Sequence, residues 1–204
     1  VEFVTVGIFL VIAAVVVGYT WYNSEAQRTK RLLADHPPIP VAQLRPGELV
    51  RVRGHVVLRE SLEAPLGGHR CAAYHVVVEE KHGKNSWREV GRESQATAFV
   101  IRDESGECFV DPRGHAPRLS FDGSGDSGTF DNPSPAEARV YERMGLSSTN
   151  VLGFNRQLRI KEASLDDGEQ ASVFGRAEIV EVDGAPALTI VADVEHGLVV
   201  TDYL

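Results

Sequence analysis

A nucleophilic serine needs a histidine to act as base and an acid to orient that histidine. Gly125-Asp126-Ser127-Gly128 is a short string of the kind found around such serines. His69 and His115, among seven histidines, are candidate bases, and neither lies in a stretch that resembles a catalytic histidine motif. The string falls within residues 120–135 (SFDGSGDSGTFDNPSP), a Gly/Ser-rich stretch in which it arises from composition alone. No residue is therefore assigned a catalytic role. Asp122, Asp126 and Asp131 offer oxygen ligands to calcium. Their spacing lacks the alternating acids and the glutamate at the twelfth position that an EF-hand uses. A solvated acidic loop is expected there instead.

His69, Cys71 and His75 are the candidates for a zinc site. Residues two and four apart share a face of a strand, so the three would converge if a fourth ligand joined them. A buried thiol flanked by partly exposed histidines is the simpler expectation, with no metal and no cofactor. Cys71 and Cys108 are the only cysteines. Two exclude a disulfide-rich scaffold and a four-cysteine zinc site within the chain. If the two approach across a sheet, they would pair only in an oxidising compartment.

Arg45, Arg51, Arg53, Arg59 and Arg70 give the early strands a basic character. Binding of a single nucleic-acid strand also needs aromatic platforms among such residues, and few aromatics fall there. The chain carries 29 acidic and 21 basic residues, a net charge of −8. Before Gln43 the charges cancel, with Glu2, Glu25 and Asp35 against Arg28, Lys30 and Arg31. The whole excess thus belongs to residues 43–204, and no nucleic acid is expected as a partner.

Binding surfaces favour loops held on a rigid scaffold. In residues 62–70, Pro65 and the Gly67-Gly68 pair set the backbone through conformationally special residues. Pro65, Leu66, Gly67, Gly68 and His69 are therefore the candidate partner-binding residues. The acidic loop is the rival. The first loop is preferred because a preorganised segment loses less entropy on binding.

These residues need elements to position them. Residues 3–22 (FVTVGIFLVIAAVVVGYTWY) are uncharged and long enough to cross a bilayer as a helix. Tyr19, Trp21 and Tyr22 close the run, as interfacial aromatics do. No basic segment precedes it, which argues against a cleaved signal peptide. A single transmembrane helix over residues 1–22 is expected. Arg28, Lys30 and Arg31 just after the span place the remainder on the cytoplasmic side. Residues 23–43 read as a juxtamembrane helix to about Ala34, followed by a linker broken by Pro37, Pro38 and Pro40. Residues 44–204 form one β-rich domain. Strands are predicted at 49–58 with a bend at Gly54, and at 70–80, 87–90, 96–102, 107–110, 172–182, 187–191 and 198–201. One helix is predicted over 135–144, capped by Ser134 and stopped by Gly145. The fold class is mainly β, an OB-like small barrel or curled sheet with one short helix.

Several segments, in order, resemble the GIDE domain. These are Val52-Arg-Gly54-His-Val56, Leu62-Glu-Ala-Pro65-Leu-Gly-Gly68 and Cys71-Ala-Ala-Tyr74, then Phe99-Val-Ile-Arg-Asp103-Glu-Ser-Gly106, Val110-Asp-Pro112 and residues 162–175 (EASLDDGEQASVFG). That domain is found beside the membrane in MULAN/MAPL-type ubiquitin ligases and in prokaryotic membrane proteins. The resemblance implies a membrane-adjacent β domain that recognises partners or assists assembly. In the ligases, ubiquitin transfer belongs to a RING finger, whose eight Cys/His ligands have no counterpart in these 204 residues. The eukaryotic topology puts the domain on the non-cytosolic side, opposite to the charge argument. The expected function is a membrane-anchored, non-catalytic protein-binding or scaffold module. The alternatives are part of a ubiquitin ligase-like system and an OB-like domain for a ligand or nucleic acid.

Overall fold

A computed structural model describes residues 25–84, 86–112, 114–116, 118–119, 133–146 and 157–202. The expected membrane span, residues 1–22, lies outside the described residues, as do Asp122, Asp126, Ser127 and Asp131 of the acidic loop. Among the described residues no helix is long and apolar enough to cross a membrane. The chain divides into two compact units, one ending at Pro37 and the other beginning at Pro38.

In the first unit, α1 (Glu25–Asp35) is a helix where one was predicted to about Ala34. His36 Nδ1 closes its last turn on the Leu32 carbonyl at 2.9 Å. Pro37 and Pro38 then prevent continuation, having no N–H to donate.

The second unit is mainly β. It begins earlier than the sequence suggests, because the stretch expected to be linker is part of the fold. Val41–Gln43 forms a turn of 3-10 helix, and Val41 and Leu44 are buried in the first hydrophobic core with Ile39 packed against them. Asp103 anchors this segment, accepting from the Val41 amide at 2.8 Å through one carboxylate oxygen. Its other oxygen accepts from the amides of Ser105 and Gly106 at 2.7 and 3.0 Å, which shapes the turn between two strands. Burial works to raise the pKa of Asp103. The Ser105 hydroxyl and these amides outweigh that effect and hold the carboxyl below its usual range.

Five strands close into a ring. They are β1 (Leu49–Leu58), β5 (Phe99–Asp103), β6 (Gly106–Val110), β8 (Gln170–Val182) and β9 (Ala185–Val191). β1 pairs with β5, β5 with β6, β6 with β9, β9 with β8, and β8 again with β1. The β6–β9 contact is parallel, with Val110 opposite Ile190, and the others are antiparallel. Gly54 lies where β1 passes from one partner to the other: residues 49–55 pair with β8 and residues 55–58 with β5. A Cβ at Gly54 would lie 2.3 Å from the Arg102 carbonyl oxygen. The bend expected at this glycine is thus a close approach of backbones. Val52, Val56, Phe99, Ile101, Val110, Val173 and Ile190 fill the interior. The short β10 (Val199–Thr201) adds to the first half of β8.

A second sheet is built on β3 (Arg70–His82). β7 (Leu158–Asp166) pairs along one edge, and β2 (Leu62–Glu63) and β4 (Ser86–Ala96) pair with successive parts of β3. Here the structure corrects the sequence reading. β4 runs unbroken from Ser86 to Ala96 where a strand was predicted only over 87–90, the strand predicted at 96–102 is β5, and β7 was not predicted. Residues 92–95 (RESQ) are polar, so they carry no core signal. Gly91 reads as an interruption, yet a Cβ there would lie 2.8 Å from Met144 Sδ, so the end of the helix packs directly on the strand. That helix, α2 (Pro135–Arg143), agrees with prediction. Ser134 and Glu137 form a reciprocal capping box, Pro135 opens the first turn, and Gly145 follows with φ +66°. Val140 and Tyr141 of α2 cover Tyr74, Val76, Val78 and Ile160, making a second core on one face of this sheet. Fully burying side chains such as Val76 and Ile160 stabilises the layer by about 1.5–3 kcal/mol each.

Candidate functional site

Residues 64–69 connect β2 to β3 and contain the predicted partner-binding residues. Ala64 is buried, and its amide donates to the His69 carbonyl at 2.9 Å. The Gly68 amide returns to the Ala64 carbonyl at 2.8 Å, with Gly68 in the left-handed region at φ +66°. Gly67 is needed for a different reason. A Cβ there would lie 2.3 Å from His69 Nδ1, so the imidazole packs directly over the glycine. Pro65 and Leu66 are half-buried, while Gly67, Gly68 and His69 are exposed. Leu66 also packs against the second core.

The loop is held from beneath by a residue the sequence reading passed over. Glu162 on β7 is 7% exposed. It accepts from the Leu66 amide at 2.8 Å through Oε2 and from the Gly67 amide at 3.0 Å through Oε1. Two successive amides aimed at one anion are the arrangement that binds external anions in other settings. Here the chain supplies the anion itself, across 95 residues of sequence. A glutamate flanked by Lys161 and Ala163 gives little warning of burial. Its only sequence signal is that it falls on the inward face of an otherwise alternating strand.

His69 is fixed by β7 as well. Its Nε2 lies 2.9 Å from Ser164 Oγ and 3.1 Å from Asp166 Oδ1. The three residue types are those of a hydrolase triad, but the wiring is not. A triad places serine on one ring nitrogen and the acid on the other, so that the acid fixes the tautomer and the free nitrogen takes the proton. Here both partners meet the same nitrogen, and Nδ1 faces Gly67. The arrangement orients the imidazole without preparing it to activate Ser164.

The proposed convergence of His69, Cys71 and His75 does not occur. The β3–β7 pairing is irregular between Cys71 and Ala73, which reverses the alternation. Cys71 packs with Tyr74, Val76 and Val78 against α2. His75 points from the other face, where Nδ1 meets the Ser94 hydroxyl. Among the described residues, no group of three or more His, Cys, Asp or Glu side chains is placed to hold a metal. Cys71 and Cys108 are both free and buried, in separate cores. Burial, with Asp166 and Glu162 nearby, pushes the Cys71 thiol up to about 12, and burial pushes Cys108 up to about 11. His115 Nδ1 meets the Pro112 carbonyl at 2.9 Å, a local turn contact. The early arginines are dispersed: Arg51 donates to Ser172, Arg59 pairs with Asp183, and Arg70 donates to Ser61.

A second polar cluster was not predicted. Asp193 is 5% exposed and accepts from His196 Nδ1 at 2.9 Å and from the amides of Glu195 and His196 at 3.0 Å. Arg176 donates to its other oxygen at 2.6 and 3.1 Å. The His196 ring stands edge-on to Phe174, with centroids 6.0 Å apart. This cluster fixes the turn between β9 and β10 on β8. The short Asp-x-x-His-Gly spacing, residues 193–197, is its only trace in the sequence.

Comparison of the sequence with protein-family models and with curated proteins, and of the fold with solved structures, gave no match.

Proposed function

We propose that the chain is a membrane-anchored, non-catalytic protein-binding module of the GIDE type, with residues 65–69 as its partner-binding loop. The carrying observation is the clamp of Glu162 on the Leu66 and Gly67 amides. It sets the loop backbone before any partner arrives, so that exposed Gly67, Gly68 and His69 bind with little further ordering. The wiring of His69 argues in the same direction, since it favours orientation over proton transfer.

The ring supports an OB-like reading of the scaffold. Five strands in the order β1-β5-β6-β9-β8, returning to β1 with one parallel contact, match the Greek-key path of that small barrel. On this reading the second sheet and α2 elaborate the barrel. The membrane anchor and the cytoplasmic placement rest on residues 1–22 and on the basic residues just after them.

The test is a photo-crosslinking amino acid introduced at position 69 of the full chain in its native membranes. One dominant protein adduct is expected, and it should be lost when Glu162→Ala is added. A probe at exposed Ile179 on β8 serves as the control. Equal adducts from both positions, or an adduct indifferent to Glu162, would place the partner site elsewhere.

A further inference from the structure

We infer that the tip of the β3–β4 hairpin docks on an anionic bilayer surface; the inference rests on the membrane-anchored reading above. The hairpin joins strands of 13 and 11 residues. Among the described residues, β7 and Gln157 just before it accompany the hairpin as far as Lys81, whose amide donates to the Gln157 carbonyl at 2.9 Å. His82, Gly83 and Lys84 follow that point, and with Lys81 all are exposed.

Charge at this end opposes that of the chain. Among the described residues of 79–92 and 158–161, Lys81, Lys84, Arg88, Arg92, Arg159 and Lys161 stand against three acids, Glu79, Glu80 and Glu89, on a chain of net charge −8. The acids are already engaged. Glu79 pairs with Arg159 and with Lys161, Glu89 pairs with Arg92, and Glu80 lies 3.9 Å from Arg88. Among the described residues no carboxylate forms an ion pair with Lys81 or Lys84. The tip is thus a positive point on an acidic body. A negative surface attracts the point and repels the body, which favours one orientation.

Trp87 selects the kind of surface. It sits directly across from Lys81, half-exposed, with the Arg159 guanidinium 4.2 Å from its ring centroid. An amphipathic indole beside lysines suits the headgroup region of a bilayer. A nucleic-acid strand would ask for several open ring faces on which bases stack. Trp87 is the sole aromatic among residues 79–92, and one of its faces is taken by Arg159.

The chain has two tryptophans, so Trp21→Phe leaves Trp87 as the single reporter. This variant of the full chain is reconstituted into vesicles of phosphatidylcholine, alone or mixed with phosphatidylglycerol, each containing a headgroup-labelled quencher lipid. Quenching of Trp87 is expected in the mixed vesicles and not in the neutral ones, with loss at high salt. Lys81→Gln and Lys84→Gln should each lower the docked-to-undocked ratio about fivefold. Equal quenching in both vesicles, or quenching indifferent to both substitutions, overturns the proposal. So does protection of Trp87 by a soluble oligonucleotide where anionic vesicles give none. Flotation with neutral vesicles after a carbonate wash tests the anchor alone. A chain that floats but shows no lipid-dependent quenching keeps the anchor and loses the docking tip. A chain that fails to float loses the anchor, and the same quenching with added vesicles still decides the tip.

Discussion

Replacing Glu162 with alanine tests the candidate site most directly, because one side chain accepts from two successive amides of the loop. The substitution removes two charge-assisted acceptors, at 2.8 Å from the Leu66 amide and 3.0 Å from the Gly67 amide. A hydrogen bond to a charged group contributes about 1.5–3 kcal/mol net, and a buried donor left unpaired costs about 1–3 kcal/mol. The carboxylate is buried, but the Gly67 end is close to water and can be solvated again. The expected loss is about 3 kcal/mol, nearer one bond fully orphaned than two. For a folded unit of this size that amounts to a fall in Tm of about 6–12 °C. Glu162→Gln keeps one acceptor but turns an N–H toward the loop, and should cost about half as much. The assay is thermal unfolding of the full chain in a mild detergent, with hydrogen exchange at Leu66 and Gly67. Both amides should exchange much faster in the alanine variant, ahead of global unfolding. A Tm within about 2 °C of the parent, or unchanged exchange at both amides, would refute the clamp.

Deleting residues 1–23 should convert a carbonate-resistant membrane protein into a soluble one that retains its β-rich circular dichroism; a variant still in the pellet would count against a single anchor. Cys71 and Cys108, buried and held at high pKa, should resist Ellman's reagent in the folded chain and react as two thiols in denaturant. The His196 side chain holds the Asp193 carboxyl well below its usual range, with help from Arg176 and the amides of His196 and Glu195 and against the effect of burial. A depressed pKa contributes stability that is present above about pH 4 and lost as pH falls through the folded value. The stability advantage of the parent over Asp193→Asn should therefore be full at neutral pH and shrink on acidification below about pH 4. Melting curves across that range would check it, and a constant advantage would exclude the linkage.

The sequence was most legible where one local rule sufficed. Ser134, Pro135 and Gly145 bounded α2 because capping is written within a few residues. The strands of the β5–β6 and β8–β9 hairpins were predicted near where they lie, and the turn of the second has Asp183 and Gly184 at positive φ. Failures came where the deciding contact was distant. Residues 92–95 look unsuited to a strand until β3 is placed beside them. Glu162 looks like a surface residue until the Leu66 and Gly67 amides arrive from the far side of the sheet. The candidate zinc ligands, from which no metal was expected, parted because an irregularity in strand pairing, which no spacing rule reveals, reversed the face of Cys71. The candidate loop residues also differ in how cleanly they can be replaced. His69 is exposed, but Leu66 packs on the second core, so His69 is the cleaner probe.

β7 connects these observations. One face of this strand carries Glu162 and Ser164 toward the loop, with Asp166 at its end, while the other sends Arg159 and Lys161 to Glu79 beside Trp87. The proposed partner loop meets β7 between Glu162, at its middle, and Asp166, at its end, and the proposed membrane tip lies beyond its other end, the two joined by the register with β3 from Cys71 to Glu80. At about 3.3 Å per residue, the loop's contacts, opposite Val76 to Cys71 of β3, lie about 16–33 Å along the strand from Lys81. A tip resting on headgroups would hold the loop at roughly that height, beyond the Debye length of about 8 Å at physiological salt. The loop would then meet a partner outside the strongest field of the bilayer. Losing the tip should change how often the loop is presented to a membrane-bound partner while leaving the Glu162 clamp intact, so the two sites are separable by mutation although one strand carries both.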